Sequence, residues 1–195
     1  MSDNPLLEVR KAYRLLFDYQ SRILDLMKFI EQTYNIPFFK GYPKFSGRGS
    51  NNLTNSSWDW LNMYYYAFHY SSELKKPEPK IYLSVFLLND SGFFQAKVKD
   101  KNISKFNLSK YDKPENSKTK LIFAAGKDKW TWWEKIKING ILFTLQEEGK
   151  SEDNHMVWKS YDLELFFTEN QALIQLQDFS KFCTENDIPV TIENK

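Results

Sequence analysis

The chain has 195 residues, with 27 Lys and Arg against 25 Asp and Glu, a net charge of +2 and 33 aromatic side chains. Its 42% apolar content, with seven Gly and seven Pro, excludes disordered, collagen-like and linker compositions, because enough apolar surface is present to offset the entropy of folding. So small a charge excludes a molecule-wide polycation, and no run reaches the roughly 20 apolar residues of a membrane helix.

The expectation is a single domain over 1–195 that is cytoplasmic and has no membrane attachment. The N-terminus (MSDNPLLEVRKAYR) carries charge where a signal peptide carries its apolar core. One Cys (Cys183) and two separated His (His69, His155) exclude an internal disulfide and a tetrahedral zinc set, so neither metal nor cofactor is expected. Fifteen Asn, and 23 Lys against four Arg, point to an AT-rich, bacterial source.

Residues 5–34 predict a helix, with Asn4 as cap and Pro5 at the first helical position, where its missing N–H costs nothing. Leu6, Val9, Tyr13, Leu15, Leu16, Phe17, Ile23, Leu24, Leu26, Met27, Ile30 and Tyr34 fall within an arc of roughly 200°. That width predicts a helix laid across a sheet or held in a subunit interface. Pro37 ends it, and residues 37–57, with Gly41, Gly47 and Gly49, read as a long loop.

The sheet is expected over 58–167. Aromatics at 58, 60, 64, 66, 68 and 70 repeat every second residue, which is the period of a strand. Lys80 to Leu88 is apolar on both faces, and Asn89-Asp90-Ser91-Gly92 suggests a tight turn into a partner strand at 93–99. A polar, Lys-rich excursion follows over 100–118. Thr119 to Ala125 reads as a strand, Asn139-Gly140 as the turn of a hairpin over 136–143, and Met156 to Phe167 as a half-exposed strand. Thr168 and Gln171 form a capping box opening a helix over 169–186, and 188–192 suggests a last short strand. The fold class expected is α+β: a mainly antiparallel sheet of six to eight strands covered by the first and last helices.

Four features suggest binding. Arg10, Arg14, Lys44 and Arg48 would bind a phosphate or carboxylate if the Gly-rich loop folded back along the helix; the plainer reading is a solvent-exposed ladder of Arg14, Asp18 and Arg22. The loop itself lacks the Gly-Lys-Ser/Thr ending of a phosphate cradle. Trp58 and Trp60, with Trp130, Trp132 and Trp133, offer stacking surface, or else core rings. From Lys97 to Lys129 ten Lys face four acids, while 146–195 holds four Lys against eleven acids. Lys97, Lys99 and Lys101 therefore open a basic segment suited to nucleic acid, to an oppositely charged copy, or to solvent alone.

No catalytic motif stands in the chain: there is no G-x-S-x-G, no H-E-x-x-H, and His69 has only Asp59 and Ser71 near it in sequence. The sequence thus supports a non-enzymatic protein acting by association with a protein partner or with itself. The alternatives are a nucleic-acid module using 97–129 with Arg48 and tryptophan stacking, and a small-ligand or enzyme site under 38–57.

Overall fold

The structure, a computed structural model, describes residues 4–45, 61, 64–72, 79–128, 145–151 and 153–192. The elements are helix α1 (Pro5–Tyr34), strands β1 (Phe38–Pro43), β2 (Tyr65–Ser71) and β3 (Ile81–Leu88), helix α2 (Gly92–Lys99), strands β4 (Lys120–Lys127), β5 (Glu148–Lys150) and β6 (Met156–Asp162), and helix α3 (Glu169–Thr184). Six strands form one sheet in the order β1-β2-β3-β4-β6-β5, every neighbouring pair antiparallel. The class is α+β, as the composition and periodicity predict.

The sheet is covered on both faces, which explains why its central strand β3 reads as an unbroken apolar run. Leu83, Val85 and Leu87 point toward α1 and α3, joined by Phe68, Tyr70, Leu121, Phe123, Val157 and Tyr161. The alternate residues Phe86 and Leu88 meet Phe45, Phe93, Phe94 and Ile122 on the other face. The aromatics at 66, 68 and 70 take the α1 side, with Tyr65 opposite, as strand period requires. Two phenols lock the helices in place: Tyr34 donates to the Leu176 carbonyl at 2.7 Å, and Tyr70 to the Met27 carbonyl at 3.0 Å.

Four expectations are corrected. Residues 93–99 are helix α2, because both edges of β3 are already taken by β2 and β4, leaving no place for a hairpin strand. Asp90 accepts the Gly92 N–H at 2.7 Å, turning the chain away from the sheet. The Gly-rich segment begins with an edge strand, β1, that satisfies the free edge of β2. The strand expected over 156–167 stops at Asp162; Leu163–Phe166 is a 3-10 turn that buries Leu163 and Phe166 and leaves Phe167 exposed. Residues 188–192 pack Ile188 and Val190 beside α3 without joining the sheet, Ser180 donating to the Val190 carbonyl at 2.7 Å. The hairpin expected over 136–143 lies outside the described residues.

The short edge pair depends on one glycine. Gly149 lies opposite Trp158, and a Cβ there would run into the indole ring. Gly149→Ala is therefore expected to lower stability by about 1–3 kcal/mol, read as a lower urea midpoint at unchanged slope. An unchanged midpoint would show that the ring does not rest on this backbone.

Candidate functional site

Helix α1 begins where the sequence predicts, the Asn4 side chain accepting the Leu7 N–H at 3.1 Å ahead of Pro5. Its second half is anchored: Ile23, Met27, Ile30 and Tyr34 are buried against the sheet and α3. Every residue from Pro5 to Asp18 is exposed. At 1.5 Å per residue this leaves an overhang of about 20 Å. The last tie before the overhang is Tyr19, which donates to Asn89 at the end of β3 at 2.6 Å and whose phenol is pushed up to about 12 by burial.

The overhang is not polar. Leu6, Val9, Tyr13, Leu16, Gln20, Ile23, Met27, Ile30 and Tyr34 succeed one another at alternating spacings of three and four without a break. This is the apolar seam of a helix with one face to bury. Its second half is filled by the domain's own core, while its first half leaves Leu6 at 66%, Tyr13 at 64% and Leu16 at 52% exposure, with Phe17 beside them at 73%. At roughly 150–200 Å² per large apolar side chain, these four open about 400–500 Å² of apolar surface, toward the upper end of what a monomer shows in one patch.

Next to the seam, a groove of about 710 Å³ runs between α1 and the start of α3. Tyr19, Leu26, Phe29, Leu163, Phe166 and Phe167 line it, with Arg22, Asp25 and Glu169 among its polar residues. The overhang carries Arg10, Lys11 and Arg14 against Glu8 and Asp18, Lys11 pairing with Glu8 at 3.0 Å. The apolar arc that the sequence predicts for α1 is covered by the sheet and α3 from Ile23 to Tyr34, and among the described residues it is left open from Leu6 to Phe17.

The structure separates the residues proposed for anion binding. Arg10 and Arg14 stand on the overhang, whereas Lys44 follows β1 and packs its ammonium 4.5 Å from the Tyr42 ring. Tyr42 in turn lies 5.0 Å from His69, which meets Phe86 on the sheet face away from α1. Arg48, Trp58 and Trp60 lie outside the described residues.

His69 pairs across the β2–β3 ladder with Ser84, the imidazole Nδ1 hydrogen-bonded to the hydroxyl. This looks like a nucleophile and base, but the chemistry is wrong. Ser84 is fully buried, and burial, then the charges of Lys44 and Lys40, push His69 down to about 3. A base that weak cannot take a hydroxyl proton near neutrality. Burial likewise lowers Lys44 to about 8.

The basic segment is partly neutralised from within. Lys99 binds both oxygens of Asp112 at 2.7 and 2.8 Å, Lys97 lies 5.4 Å from the Phe93 ring, and Lys118 meets Asp162 at 2.5 Å. Lys101 is exposed on the turn after α2. Among the described residues no three His, Cys, Asp or Glu gather as a metal set, and no helix is long and apolar enough to cross a membrane.

Residues 2–188 match the PM0109 family, a range that includes α1, the groove and α3. The chain belongs to the PM0109 family. It is also similar, at 51% identity over 37 residues, to the uncharacterized protein PM0109 of Pasteurella multocida (strain Pm70). That similarity covers 19% of this chain and 18% of the relative, so less than a fifth of the relative's length is spanned. No solved structure matches. The PM0109 family name states no chemistry.

Proposed function

We propose that the protein works by associating with another protein chain through the overhanging half of α1. The observation that carries this reading is the continuity of the seam: one spacing runs from buried Tyr34 to exposed Leu6, and only its second half has a partner within the described residues. Leaving so much apolar surface in water is unfavourable by roughly 25 cal/mol per Å². A covering helix recovers it. A bacterial and cytoplasmic setting belongs to the same proposal, supported by the Pasteurella relative and by a lone Cys183 that is buried, its thiol pushed up by that burial.

The test is retention of partner chains by the tagged full-length protein, compared with Leu16→Glu at about 0.1 and 0.5 M salt. Leu16 is half exposed, so the change leaves the fold intact by circular dichroism. Expected is a protein, this chain or another, retained at both salts by the wild type and lost by the variant. Equal retention by the variant removes α1 as the surface. Nucleic acid bound at low salt and lost at high salt would favour the basic segment instead, since phosphate contacts release counterions steeply.

A further inference from the structure

We infer that the excursion after α2 is a second binding surface, and that it takes single-stranded nucleic acid. This surface is separate from α1 and does not rest on the association reading. It combines an ordered loop, an outward aromatic ring and a set of unpaired ammonium groups.

The loop is pinned along its length. Residues 100–111 leave α2 and return to it, because Lys99 at the end of that helix binds both oxygens of Asp112 at 2.7 and 2.8 Å. At the helix's other end the Asp112 N–H donates to the Gly92 carbonyl at 3.2 Å. Inside the loop the Tyr111 hydroxyl donates to the Lys105 carbonyl at 2.7 Å, and the Lys105 ammonium to the Phe45 carbonyl at 2.6 Å. The Phe106 N–H donates to Ser104 Oγ at 3.3 Å. Ile103 and Tyr111 pack against the core on this face of the sheet, yet Phe106 and Leu108 stand 63% and 56% exposed. A ring already held in place on ordered backbone needs little further ordering when a flat partner stacks on it.

Charge selects the partner. Between residues 97 and 115 six Lys stand against three acids. Asp112 is taken by Lys99, and Asp100 accepts the Asn102 N–H at 2.9 Å, which leaves Glu115. Lys101, Lys110 and Lys113 are exposed and make no ion pair among the described residues. Each lies within two residues of Lys99 or Asp112, so at about 3.8 Å per residue their Cα atoms stand within about 8 Å of that one clamp. Lys105 adds an ammonium 5.4 Å from the Phe106 ring. Phosphates match the lysines, and an unpaired base matches the ring. A duplex keeps its bases stacked inward, and an acidic peptide brings charge without a flat face, so a single strand meets both features.

The experiment is fluorescence anisotropy of end-labelled oligo-dT and oligo-U of about 12 nucleotides, titrated with the full chain. Expected is binding that weakens about 20-fold between about 0.05 and 0.2 M salt, the slope for three phosphate contacts on a single strand. Phe106→Ala, at an exposed site that leaves circular dichroism unchanged, is expected to weaken it about tenfold at unchanged salt slope, whereas Phe106→Trp retains it. Replacing Lys101, Lys110 and Lys113 together by Gln is expected to flatten the salt slope. The oligo-dT and oligo-U arms tell DNA from RNA, and preference for either supports the inference. No binding at about 0.05 M salt overturns it. So does affinity indifferent to Phe106→Ala, which would leave a basic surface without stacking, or equal competition by poly-glutamate, which would mark an acidic protein partner. Loss of binding in Leu16→Glu would place the contact on α1 and overturn it as well. In the partner-capture test, salt-sensitive nucleic acid reports on this loop and salt-resistant protein on α1.

Discussion

Replacing Phe123 by Ala is expected to lower the unfolding free energy by about 3–5 kcal/mol, a third or more of the stability of an ordinary domain. Phe123 sits on β4, which with β3 forms the middle of the sheet, and has no exposed surface. Its ring stacks on Phe166 at 5.8 Å, meets Tyr161 edge-on at 5.7 Å, and touches Phe179 at 5.2 Å. Those rings come from the 3-10 turn, from β6 and from α3, three separately anchored pieces of backbone. They cannot all move inward together, so the cavity stays open and the cost falls in the upper range. Urea unfolding with Phe123→Leu as the volume-sparing control checks this. A loss under about 1 kcal/mol for Phe123→Ala would show that α3 is free to settle onto the sheet.

The second large effect is on pH dependence and comes from His69. Its imidazole is pushed from an ordinary 6.5 to about 3 by burial and by the neighbouring Lys44 and Lys40. The native state therefore holds it neutral where the unfolded chain is already protonated. Stability from this group is fully present above 6.5 and is lost as pH falls from 6.5 toward 3, at a limiting slope of about 1.4 kcal/mol per pH unit. Asp178 adds a loss of its own at lower pH. Burial alone would raise its carboxyl, but hydrogen bonds from Lys159 and Tyr161, aided by the charges of Lys159 and Lys181, hold it below its ordinary value.

The comparison of wild type with His69→Asn isolates the imidazole, since Asn keeps a polar neighbour for Ser84 and does not titrate. At pH 7 the variant is expected to be less stable by about 1–2 kcal/mol through the altered hydrogen bond and packing. Between pH 6.5 and 4 that gap narrows and then reverses. A gap that stays constant across this range would mean that His69 takes up its proton as freely when folded as when unfolded.

Several elements were legible from local chemistry because their signals are local. Asn4 and Pro5 start α1, Thr168 accepts the Gln171 N–H at 3.3 Å to start α3, and the doubly apolar run of β3 marks a strand covered on both faces. These choices are made within a few residues, by capping groups and by the period of the side chains. Helix α2 was not legible, because Phe93 to Lys99 suits either period and the decision lay in which edges of β3 were vacant. The pairing of His69 with Ser84 was equally hidden, since fifteen residues and a register separate them.

The candidate surface divides the same way. Residue spacing and capping alone make α1 a helix with one apolar face and its charges on the other. That the sheet and α3 cover this face from Ile23 to Tyr34 and stop short of Leu6 to Phe17 follows from how the strands and helices pack. Periodicity records the side of a helix that must leave water, because each turn repeats the same local geometry. How far along the helix the sheet and α3 reach is set by the breadth of the sheet beneath it, and that length is written in no single turn.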